Sequence, residues 1–592
     1  MCGITAIFAY HSSADPVRRE ELEKITERMR PRGPDAVGTW ISPDRRVALG
    51  SRRLAIIDLS DDGTQPMFDV EGELAIVFNG EIYNYPELRA SLERGGVHFH
   101  SHTDTEVLLQ LYRRDGEDML GLLRGMYAFV VWDARRRRMF VARDPYGIKP
   151  LYFADDGSVV RFASGVKPLL AGGVVSPARD PAGVAGFFLT GSVPEPFTIC
   201  RDVRAVEAGT SFHVEDERGR GEVRRHYSVA EVFRQADRQR VFAGLMKPEI
   251  FLRERVEESV EHHLVADVPV GLFLSAGIDS SALATIASRV SRRPVHTFTL
   301  AFHEFQGTED DEALLAERLA REIAAPHTTR LVTRDEFHAD LPRIFESMDQ
   351  PTIDGVNTWF VSKAVHEAGM KVAISGLGGD ELFGSYPSFR KVPRMVHLAR
   401  LPGAARAARM VSHHPKAAFV GRFGRTYGGA YLLQRGLFFP DELPAIIGAD
   451  TAREGLERLQ ILDLIDSAIT PDPGTEFGRM ATLESSLYMR NQLLRDADWA
   501  SMAHSVEVRT PLVDAALLRQ ICPLLLERGS ECKGALAAML PPWVRGRRKS
   551  GFFVPMREWT GLPADATTTR MRGWAKSVFE YCDMGRFGTV AR

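Results

Sequence analysis

Short apolar runs separated by turn residues characterise residues 2–215. Residues 74–78 form an apolar run that ends at Asn79-Gly80, which is a turn signal. Residues 126–132 and 139–142 flank a polar, arginine-rich turn, and this pattern predicts a β-hairpin. Helical periodicity appears in two segments, residues 20–29 and residues 104–112. Many strands with few helices predict an α+β layered domain.

The hydrophobic pattern changes near residue 250, where strand-like runs begin to alternate with longer helical stretches. Residues 268–275 are typical of a buried strand, and the next apolar positions recur at helical spacing: Ala282, Leu283, Ile286, Ala287 and Val290. Two more strand-like runs follow after helical stretches, at residues 295–302 and 372–375. This order predicts an α/β domain with a doubly wound parallel sheet and added helices over residues 250–592. Residues 216–249 are polar and poorly periodic, and we expect a connector there.

Composition and charge exclude several classes of protein. Of the 592 residues, 44% are hydrophobic and 26% are charged, which is typical of a globular chain. The 75 basic and 78 acidic residues leave a formal net charge of −3, which gives no field that attracts nucleic acid or an anionic membrane. No apolar run approaches the roughly 20 residues of a membrane span, and the chain start lacks a basic signal-peptide region. We therefore expect neither nucleic acid nor a membrane as a partner.

The cysteine pattern favours a reducing compartment. The 5 cysteines are scattered and include no CxxC pair, so neither a disulfide framework nor a zinc finger is expected. A cytoplasmic location is the simplest expectation. The oligomeric state cannot be read from the sequence, and a homodimer stays open.

Cys2 stands out by its position, because removal of Met1 would make it the first residue of the chain. A free thiol has a pKa near 8.5 and needs a base before it is a good nucleophile. The α-amine of the same residue, with a pKa of about 7.7–8.0, could serve as that base. Taken alone, an incidental cysteine at the second position is an equally good interpretation.

Polar segments further along the chain change that balance. Arg53 lies at a strand start, where it could hold a carboxylate, and Asn79-Gly80-Glu81 supplies an amide, a backbone N–H and a carboxylate at a strand end. Asp104 opens a predicted helix. Together with the turns at residues 32–35 and 143–152, this set resembles the glutaminase domain of the asparagine synthetase family. That domain is a class II amidotransferase, an N-terminal-nucleophile hydrolase, and the resemblance covers nearly the whole N-terminal domain.

The resemblance implies an N-terminal-nucleophile sandwich and a role for each motif residue. Cys2 would attack the side-chain amide of glutamine. Asn79 and the Gly80 N–H would form an oxyanion hole, in which one donor is worth roughly 2.7–4 kcal/mol. Three side chains would hold the carboxylate and amine of glutamine: Arg53, Glu81 and Asp104. Gly165 departs from the family pattern, which usually has glutamate at this position.

Two loops rich in small residues follow strands in the second half of the chain, at residues 274–281 and 374–384. Small residues at a helix start leave backbone N–H groups free to bind a phosphate anion. Asp279 and Asp380, one in each loop, could hold Mg²⁺ together with substrate phosphates. The chain has no GxxxxGK[ST] motif, so it is not a P-loop NTPase. Taken alone, the first loop is explained equally well as an ordinary capped strand–helix turn.

These loops resemble the ATP-pyrophosphatase (synthetase) domain of the same family, and residues 495–498 and 501–514 fit its helical region. The resemblance implies that residues 275–280 bind pyrophosphate. It also implies that Lys549 stabilises phosphate charge as an acyl-adenylate forms and collapses. The implied ATP-binding residues are Leu274, Ser275, Gly277, Asp279, Ser280, Leu300, Ser375 and Gly376.

The two resemblances together imply a glutamine-dependent amidotransferase of the asparagine synthetase type, an ATP-dependent carbon–nitrogen ligase that uses Mg²⁺. Glutamine would release ammonia at Cys2. Ammonia would then attack a carboxylate activated as acyl-AMP, with L-aspartate as the first expected acceptor, to give the amide, glutamate, AMP and pyrophosphate. Because ammonium has no nucleophilic lone pair, we expect a sheltered route between the domains.

Three further departures bear on this interpretation. Ala276 replaces the first glycine of the pyrophosphate loop, and Trp499 follows Asp498 where the family usually has an Asp-Arg pair. Leu377 stands where the family commonly has a glutamate tied to the activated intermediate or the acceptor. We therefore expect weak use of free aspartate unless another acidic residue substitutes, with Glu381 and Asp354 as candidates.

Other functions stay open at this point. The same chemistry could act on another carboxylate, such as one in a natural product or a glycan, or could deliver a related nitrogen nucleophile. A catalytically inactive scaffold is disfavoured by the intact motif residues Cys2, Asp279, Asp380 and Lys549. An ATP-dependent cyclase with an internal amine would not need Cys2.

Overall fold

The computed structural model describes residues 2–239, 247–308, 310–403, 419–546, 554–560 and 567–582. The strands are β1 Cys2–Ala9, β2 Ala36–Ile41, β3 Val47–Arg53, β4 Met67–Phe68, β5 Leu74–Ile82, β6 Gly125–Asp133, β7 Arg138–Arg143, β8 Tyr152–Asp155, β9 Val159–Ala163, β10 Arg204–Ala205, β11 Thr210–Glu215, β12 Gly219–Arg220, β13 Arg224–Arg225, β14 Val270–Phe273, β15 His296–Phe302, β16 His327–Val332, β17 Val372–Ile374 and β18 Glu507–Arg509.

Helices in the described ranges cover Arg19–Arg28, Tyr85–Arg94, Asp104–Asp115, Val166–Ala171, Pro181–Thr190, Val229–Gln239, Pro248–His263, Ile278–Val290, Ala313–Glu322, Arg334–Ser347, Val356–Glu367, Gly379–Leu382, Ser388–Ala399, Val420–Phe423, Tyr427–Arg435, Pro444–Ile447, Ala449–Leu459, Ile461–Ala468, Glu476–Leu483, Arg495–Met502, Ala515–Arg528, Cys532–Ala537, Pro542–Arg545, Met556–Thr560 and Thr567–Tyr581. A π-helix runs from Glu484 to Leu494.

Two antiparallel sheets pack face to face in the N-terminal half. Their strand orders are β10-β8-β9-β1-β3-β2 and β12-β11-β7-β6-β5-β4. Successive residues of a strand point to opposite faces, so Ile4, Ala6 and Phe8 of β1 enter the core between the sheets. Ile7 and Ala9 instead pack in the apolar cluster that contains the helix Arg19–Arg28. The predicted α+β sandwich and the predicted β6–β7 hairpin are confirmed.

A parallel sheet of order β16-β15-β14-β17-β18 forms the centre of the C-terminal half. Helices cover both faces, because Val372 and Ile374 of β17 enter one apolar cluster and Ala373 enters the other. The predicted doubly wound sheet is therefore confirmed. Two of its strands, β16 and β18, were not predicted.

The structure corrects the interpretation of two segments. Residues 216–249 were predicted to be a poorly periodic connector, but β12 and β13 pair with β11 there. The helix Val229–Gln239 follows, and it buries an apolar stripe consisting of Val229, Ala230, Phe233 and Ala236. Residues 501–514 were assigned to a helical region, but they include the strand β18, because three residues pair in register with β17.

Buried polar contacts join the two halves. Arg32 donates two hydrogen bonds to Asp498, with its Nη1 2.7 Å from Oδ2 and its Nη2 2.9 Å from Oδ1. The backbone N–H groups of Val166 and Lys167 donate to the carboxylate of Asp349 at 2.9 and 3.0 Å. These contacts fix the glutaminase-like half against the synthetase-like half.

No helix within the described ranges is both long and apolar enough to cross a membrane.

We predict that Asp498→Asn destabilises the protein strongly. The side chains of Arg32 and Asp498 are 13% and 7% exposed, so the variant leaves a buried cation without its partner. Removal of one partner of a buried ion pair costs roughly 3–5 kcal/mol. Glu454→Gln is the matched control, because its ion pair with Arg201 is about half exposed and worth about 0–1 kcal/mol. Equal shifts of the unfolding midpoint in the two variants would contradict this prediction.

Candidate active sites

Cys2 lies at the start of β1, which is flanked by β9 and β3. Its backbone N–H donates to Asn79 Oδ1 at 3.1 Å, and the residue is 6% exposed. Burial raises the pKa of the Cys2 thiol, and a backbone contact with Leu54 and the charge of Arg53 oppose that shift only in part. The thiol therefore needs a base to act as a nucleophile at neutral pH.

Arg53 is the residue opposite Cys2 in the β1–β3 pairing. Its guanidinium donates to the carbonyl oxygens of Ser60 at 2.6 Å and Ile57 at 3.3 Å. Gly63 leaves room for this group, since a Cβ at that position would lie 2.1 Å from Arg53 Nη2. The backbone thus fixes the direction of the guanidinium beside the thiol.

The end of β5 carries Asn79, Gly80 and Glu81. Only glycine fits at position 80, because a Cβ there would lie 2.1 Å from the carbonyl oxygen of Met126 on β6. Asp104 begins the helix Asp104–Asp115, and its Oδ2 accepts a hydrogen bond from the N–H of Ile82 at 2.9 Å. The structure thus brings the predicted residues together at one end of the sandwich: Cys2, Arg53, Asn79, Gly80, Glu81 and Asp104.

The acidic groups of this site have shifted pKa values. Burial raises the pKa of Asp104 to about 6. Burial and the nearby charge of Glu507 raise the pKa of Glu81 well above its usual range. Glu507 belongs to β18, so the synthetase-like half contributes charge to the thiol site.

Arg509 of β18 connects the two halves at this point. Its side chain is fully buried, and its Nε donates to Glu507 Oε1 at 2.6 Å. Its Nη1 donates to the carbonyl oxygens of His263 and Val265 at 2.9 and 2.6 Å. Its Nη2 lies 3.5 Å from Glu81 Oε2 in the thiol site. Sequence reasoning missed Arg509, because a three-residue strand has no readable period.

The first of the two loops rich in small residues joins β14 to the helix Ile278–Val290. The hydroxyl oxygens of Ser275 and Ser280 are 3.1 Å apart across it, and the backbone of Ala276 is left-handed, with φ of +50°. The second loop follows β17. It approaches the first so closely that a Cβ on Gly376 would lie 3.0 Å from the Ser280 nitrogen.

A cavity of about 510 Å³ lies over these loops. It is lined by Phe273, Leu274, Ser275, Ala276, Gly277, Ile278, Asp279, Ser280, Asp354, Gly355, Asn357, Thr358, Val361, Ser375, Gly376, Leu377, Asp380, Ser385, Leu493, Asp496, Lys533 and Val544. Seven of the eight predicted ATP-binding residues are among them. Leu300 instead lies in an apolar core cluster on β15, and Lys549 lies outside the described residues.

Lys533 occupies the space between the two predicted metal ligands. Its Nζ donates to Asp279 Oδ2 at 2.7 Å, to Asp380 Oδ1 at 3.0 Å and to Ser385 Oγ at 3.1 Å. Burial lowers the pKa of this ammonium, but the two carboxylates outweigh burial and raise it. Sequence reasoning missed Lys533, although a lysine in the otherwise apolar and small segment Cys532–Ala537 was an available signal.

The two candidates for replacing the missing glutamate at position 377 lie in different places. Leu377 and Asp354 both line the 510 Å³ cavity. Glu381 is absent from this lining; it is buried, and its Oε1 accepts a hydrogen bond from Tyr386 at 2.9 Å. Asp354 is therefore the candidate in position to act on a substrate in the cavity.

A smaller cavity of about 170 Å³ lies between the two halves. Its lining includes Arg32, whose Nε lies 3.4 Å from the carbonyl oxygen of Cys2. It also includes Trp499, whose Nε1 donates to Asp496 Oδ1 at 2.8 Å. The smaller cavity therefore meets Cys2 through Arg32 on one side and Asp496 through Trp499 on the other. Because Asp496 also lines the 510 Å³ cavity, the smaller cavity lies between the thiol site and the loop site.

Comparisons with known proteins agree with this two-site arrangement. Residues 1–227 match the family described as "Glutamine amidotransferase domain", and residues 251–591 match "Asparagine synthase". The chain is 30% identical to "Asparagine synthetase [glutamine-hydrolyzing] 1" of Bacillus subtilis (strain 168), over 98% of this chain and 90% of the relative. It is 32% identical to "Putative asparagine synthetase [glutamine-hydrolyzing]" of Mycobacterium tuberculosis (strain ATCC 25618 / H37Rv), over 94% and 88%. It is also 32% identical to "Amidase chry2" of Gibberella zeae, over 66% of this chain and 60% of that one.

We predict that Ala276→Gly stabilises the protein. A left-handed backbone costs an alanine roughly 1–2 kcal/mol, and glycine adopts it freely at a smaller entropic cost. We expect a net gain of about 0.5–1 kcal/mol in the free energy of unfolding, measured by denaturant titration. Ala282→Gly, within the helix Ile278–Val290, is the control and should lose about 1 kcal/mol. A loss of stability in both variants would mean that the left-handed alanine is not strained.

Proposed function

Because the chain belongs to the glutamine-hydrolysing asparagine synthetase family, it is a glutamine-dependent amidotransferase and an ATP-dependent carbon–nitrogen ligase, and we propose that it amidates a carboxylic acid activated as acyl-AMP. This proposal rests on the observation that two sites lie close to each other. The thiol site around Cys2 and the cavity over the Ser275–Ser280 loop lie on either side of one buried interface, which Arg509 spans.

The first half-reaction uses the thiol site. Removal of Met1 makes the Cys2 nitrogen an α-amine, which takes the proton of the thiol as the sulfur attacks the glutamine amide carbon. Asn79 and the Gly80 N–H stabilise the oxyanion. The α-ammonium gives this proton to the departing nitrogen, ammonia leaves, and water hydrolyses the thioester to glutamate and the free thiol. Arg53 and Asp104 hold the carboxylate and amine of the bound glutamine, with Glu81 assisting.

The second half-reaction uses the 510 Å³ cavity. An oxygen of the acceptor carboxylate attacks the α-phosphorus of ATP, and the P–O bond to pyrophosphate breaks. The loop residues Ser275, Gly277 and Ser280 hold pyrophosphate, while Leu274, Ser375 and Gly376 contact the adenosine. Ammonia then attacks the acyl carbon, the nitrogen loses a proton, and AMP departs.

Asp279 and Asp380 fit the role of Mg²⁺ ligands. They already share the ammonium of Lys533, so they lie close enough to share a cation, and two carboxylates plus phosphate oxygens suit Mg²⁺. When bound, the ion would neutralise charge on the departing pyrophosphate. Lys533 would move toward the phosphates as they enter, and Lys549 would add a second positive charge.

Ammonia has a short proposed route. It passes from Cys2 beside Arg32 into the 170 Å³ cavity, and then past Trp499 to Asp496 in the larger cavity. The route runs between the two halves, and we propose that it limits the protonation of ammonia by bulk water.

The acceptor has two candidates. Aspartate is the acceptor suggested by the names of the relatives. Leu377 favours another carboxylic acid, because a leucine can neither accept a proton from the attacking amine nor hold an α-ammonium group. A cytoplasmic location and a homodimer stay predictions. All 5 cysteines lie within the described residues, and none of them forms a disulfide.

The test of this function is the Cys2→Ala variant. With glutamine as nitrogen donor, we expect glutamate release to fall to the blank rate, because no other nucleophile replaces the thiol. With added ammonia, the same variant should still convert ATP to AMP and pyrophosphate in the presence of an acceptor acid. Undiminished glutamine hydrolysis would contradict the role of Cys2. Formation of ADP and phosphate in place of AMP and pyrophosphate would contradict the acyl-adenylate route.

The pH dependence of glutamine binding tests the role of Asp104. Because its pKa is raised to about 6, the carboxylate becomes neutral as the pH falls through that value and no longer holds the substrate amine. We expect the KM for glutamine to rise about tenfold per pH unit below pH 6. Asp104→Asn should have a raised KM that no longer changes over this range. A flat profile in the unaltered enzyme would exclude Asp104 as the amine ligand.

A further inference from the structure

A second large cavity, of about 450 Å³, adjoins the ATP cavity and has no role in the reaction described above. A pocket of this size, partly open to solvent and lined in large part by apolar side chains, is typical of a small-molecule binding site. Its wall combines the loop after the helix Pro181–Thr190, the helices Tyr427–Arg435 and Ile461–Ala468, and the π-helix Glu484–Leu494.

Asp354 lies at the junction of the two cavities, because it lines both of them. Its neighbour Ile353 lines only the second cavity and is held by a hydrogen bond from its N–H to the carbonyl oxygen of Gly191 at 3.0 Å. Gly191 must be small here, since a Cβ would lie 2.6 Å from Ile353 Cδ1. The junction of the two cavities at Asp354 and Ile353 is called the neck below.

The lining of the second cavity has both polar and apolar parts. Asn491 and Gln492 lie with Asp354 on the polar side, and they are brought there by the wide turn of the π-helix, a feature frequent at functional sites. The wall also contains a group of apolar side chains, namely Leu432, Leu437, Ile461, Leu464, Ile465, Leu487 and Met571. Polar residues line it as well: Thr190, Ser192, Tyr431, Gln434, Arg435 and Tyr488.

The positive charge of Arg435, which lines the 450 Å³ cavity, is already neutralised. Arg435 donates to the buried carboxylate of Glu484 at 2.8 Å, and its guanidinium lies 3.9 Å from the centre of the Tyr488 ring and 4.5 Å from that of Tyr386. Arg435 is therefore a poor partner for a second carboxylate, such as the α-carboxylate of aspartate. Leu377 adds an apolar surface on the ATP side of the neck.

We propose that the 450 Å³ cavity binds the body of the acceptor, and that the acceptor is a carboxylic acid with an extended apolar chain rather than free aspartate. This inference rests on the proposed function, because the carboxylate must reach the α-phosphate of ATP in the first cavity. The apolar chain then passes Asp354 and Ile353 and packs against the leucine and isoleucine wall.

The experiment is ATP–pyrophosphate exchange with the full chain and a series of straight-chain acids: butanoate, hexanoate and octanoate, together with aspartate. Each methylene moved from water into an apolar site is worth about a fourfold change in affinity. The KM of the acid should therefore fall about fourfold per added methylene, and aspartate should be a poorer substrate than octanoate.

Leu464→Trp fills the cavity and should remove this chain-length dependence by raising the KM for octanoate at least tenfold. Leu464→Phe is a milder version in case tryptophan disturbs folding, which circular dichroism would detect. Leu462→Trp is the matched control, because Leu462 lies on the same helix but outside the cavity lining, and it should keep the chain-length dependence of the unaltered enzyme.

The results of these experiments test this inference separately from the proposed function. A KM that is independent of chain length, or aspartate preferred over every straight-chain acid, overturns this inference and leaves the proposed function standing. Failure of every acid, including aspartate, to support exchange overturns the proposed function and this inference together.

Discussion

A fully buried guanidinium, that of Arg509, links the two reaction centres of this enzyme. Removing a cation from water is expensive, and the cost is offset only when carboxylates and carbonyl groups surround it with good geometry. Arg509 meets this requirement with groups from two domains, since it bonds Glu507 in its own strand and faces Glu81 in the thiol site. Its backbone carbonyl also accepts the N–H of Ser375 at 2.8 Å, which fixes the start of the second ATP loop. Together with the contacts of Arg32 and Asp349, this residue fixes the position of the two sites relative to each other.

This constraint explains why small residues are concentrated in the ATP loops. Because the sheet and its neighbouring loops are fixed, two backbone segments must approach within contact distance over the phosphate site. Gly376 permits the approach to Ser280, and Gly379 leaves space for Asp279, since a Cβ there would lie 2.5 Å from its carboxyl carbon. The close approach in turn brings Asp279 and Asp380 near enough to share the ammonium of Lys533.

Local sequence signals predicted much of the fold and of the two sites. Cys2 and Asp104 stand at element starts, and Asp279 and Asp380 stand in segments that short motifs identify. Asn79 and Gly80 were predicted to form a turn, but they pair with β6 inside β5. The residues that were missed act across long separations in the chain. Arg509 meets Glu81, and Lys533 meets Asp279, in contacts that no local pattern encodes. The strands β16 and β18 were missed because the first carries partly exposed polar residues and the second has only three residues.

The departures from the family pattern differ in how the surrounding structure accommodates them. Gly165 leaves space for Asp349, because a Cβ at that position would lie 2.9 Å from its Oδ1 and would crowd the carboxylate that accepts from Val166 and Lys167. Trp499 hydrogen-bonds Asp496 and packs over Gly355, where a Cβ would lie 2.5 Å from the indole. At both positions, neighbouring protein groups thus occupy the space or bond the changed side chain. Leu377 instead lines the 510 Å³ cavity, so its side chain faces open space rather than a neighbouring protein group. A change that meets only protein groups alters packing, whereas position 377 faces the cavity in which we propose that the acceptor binds.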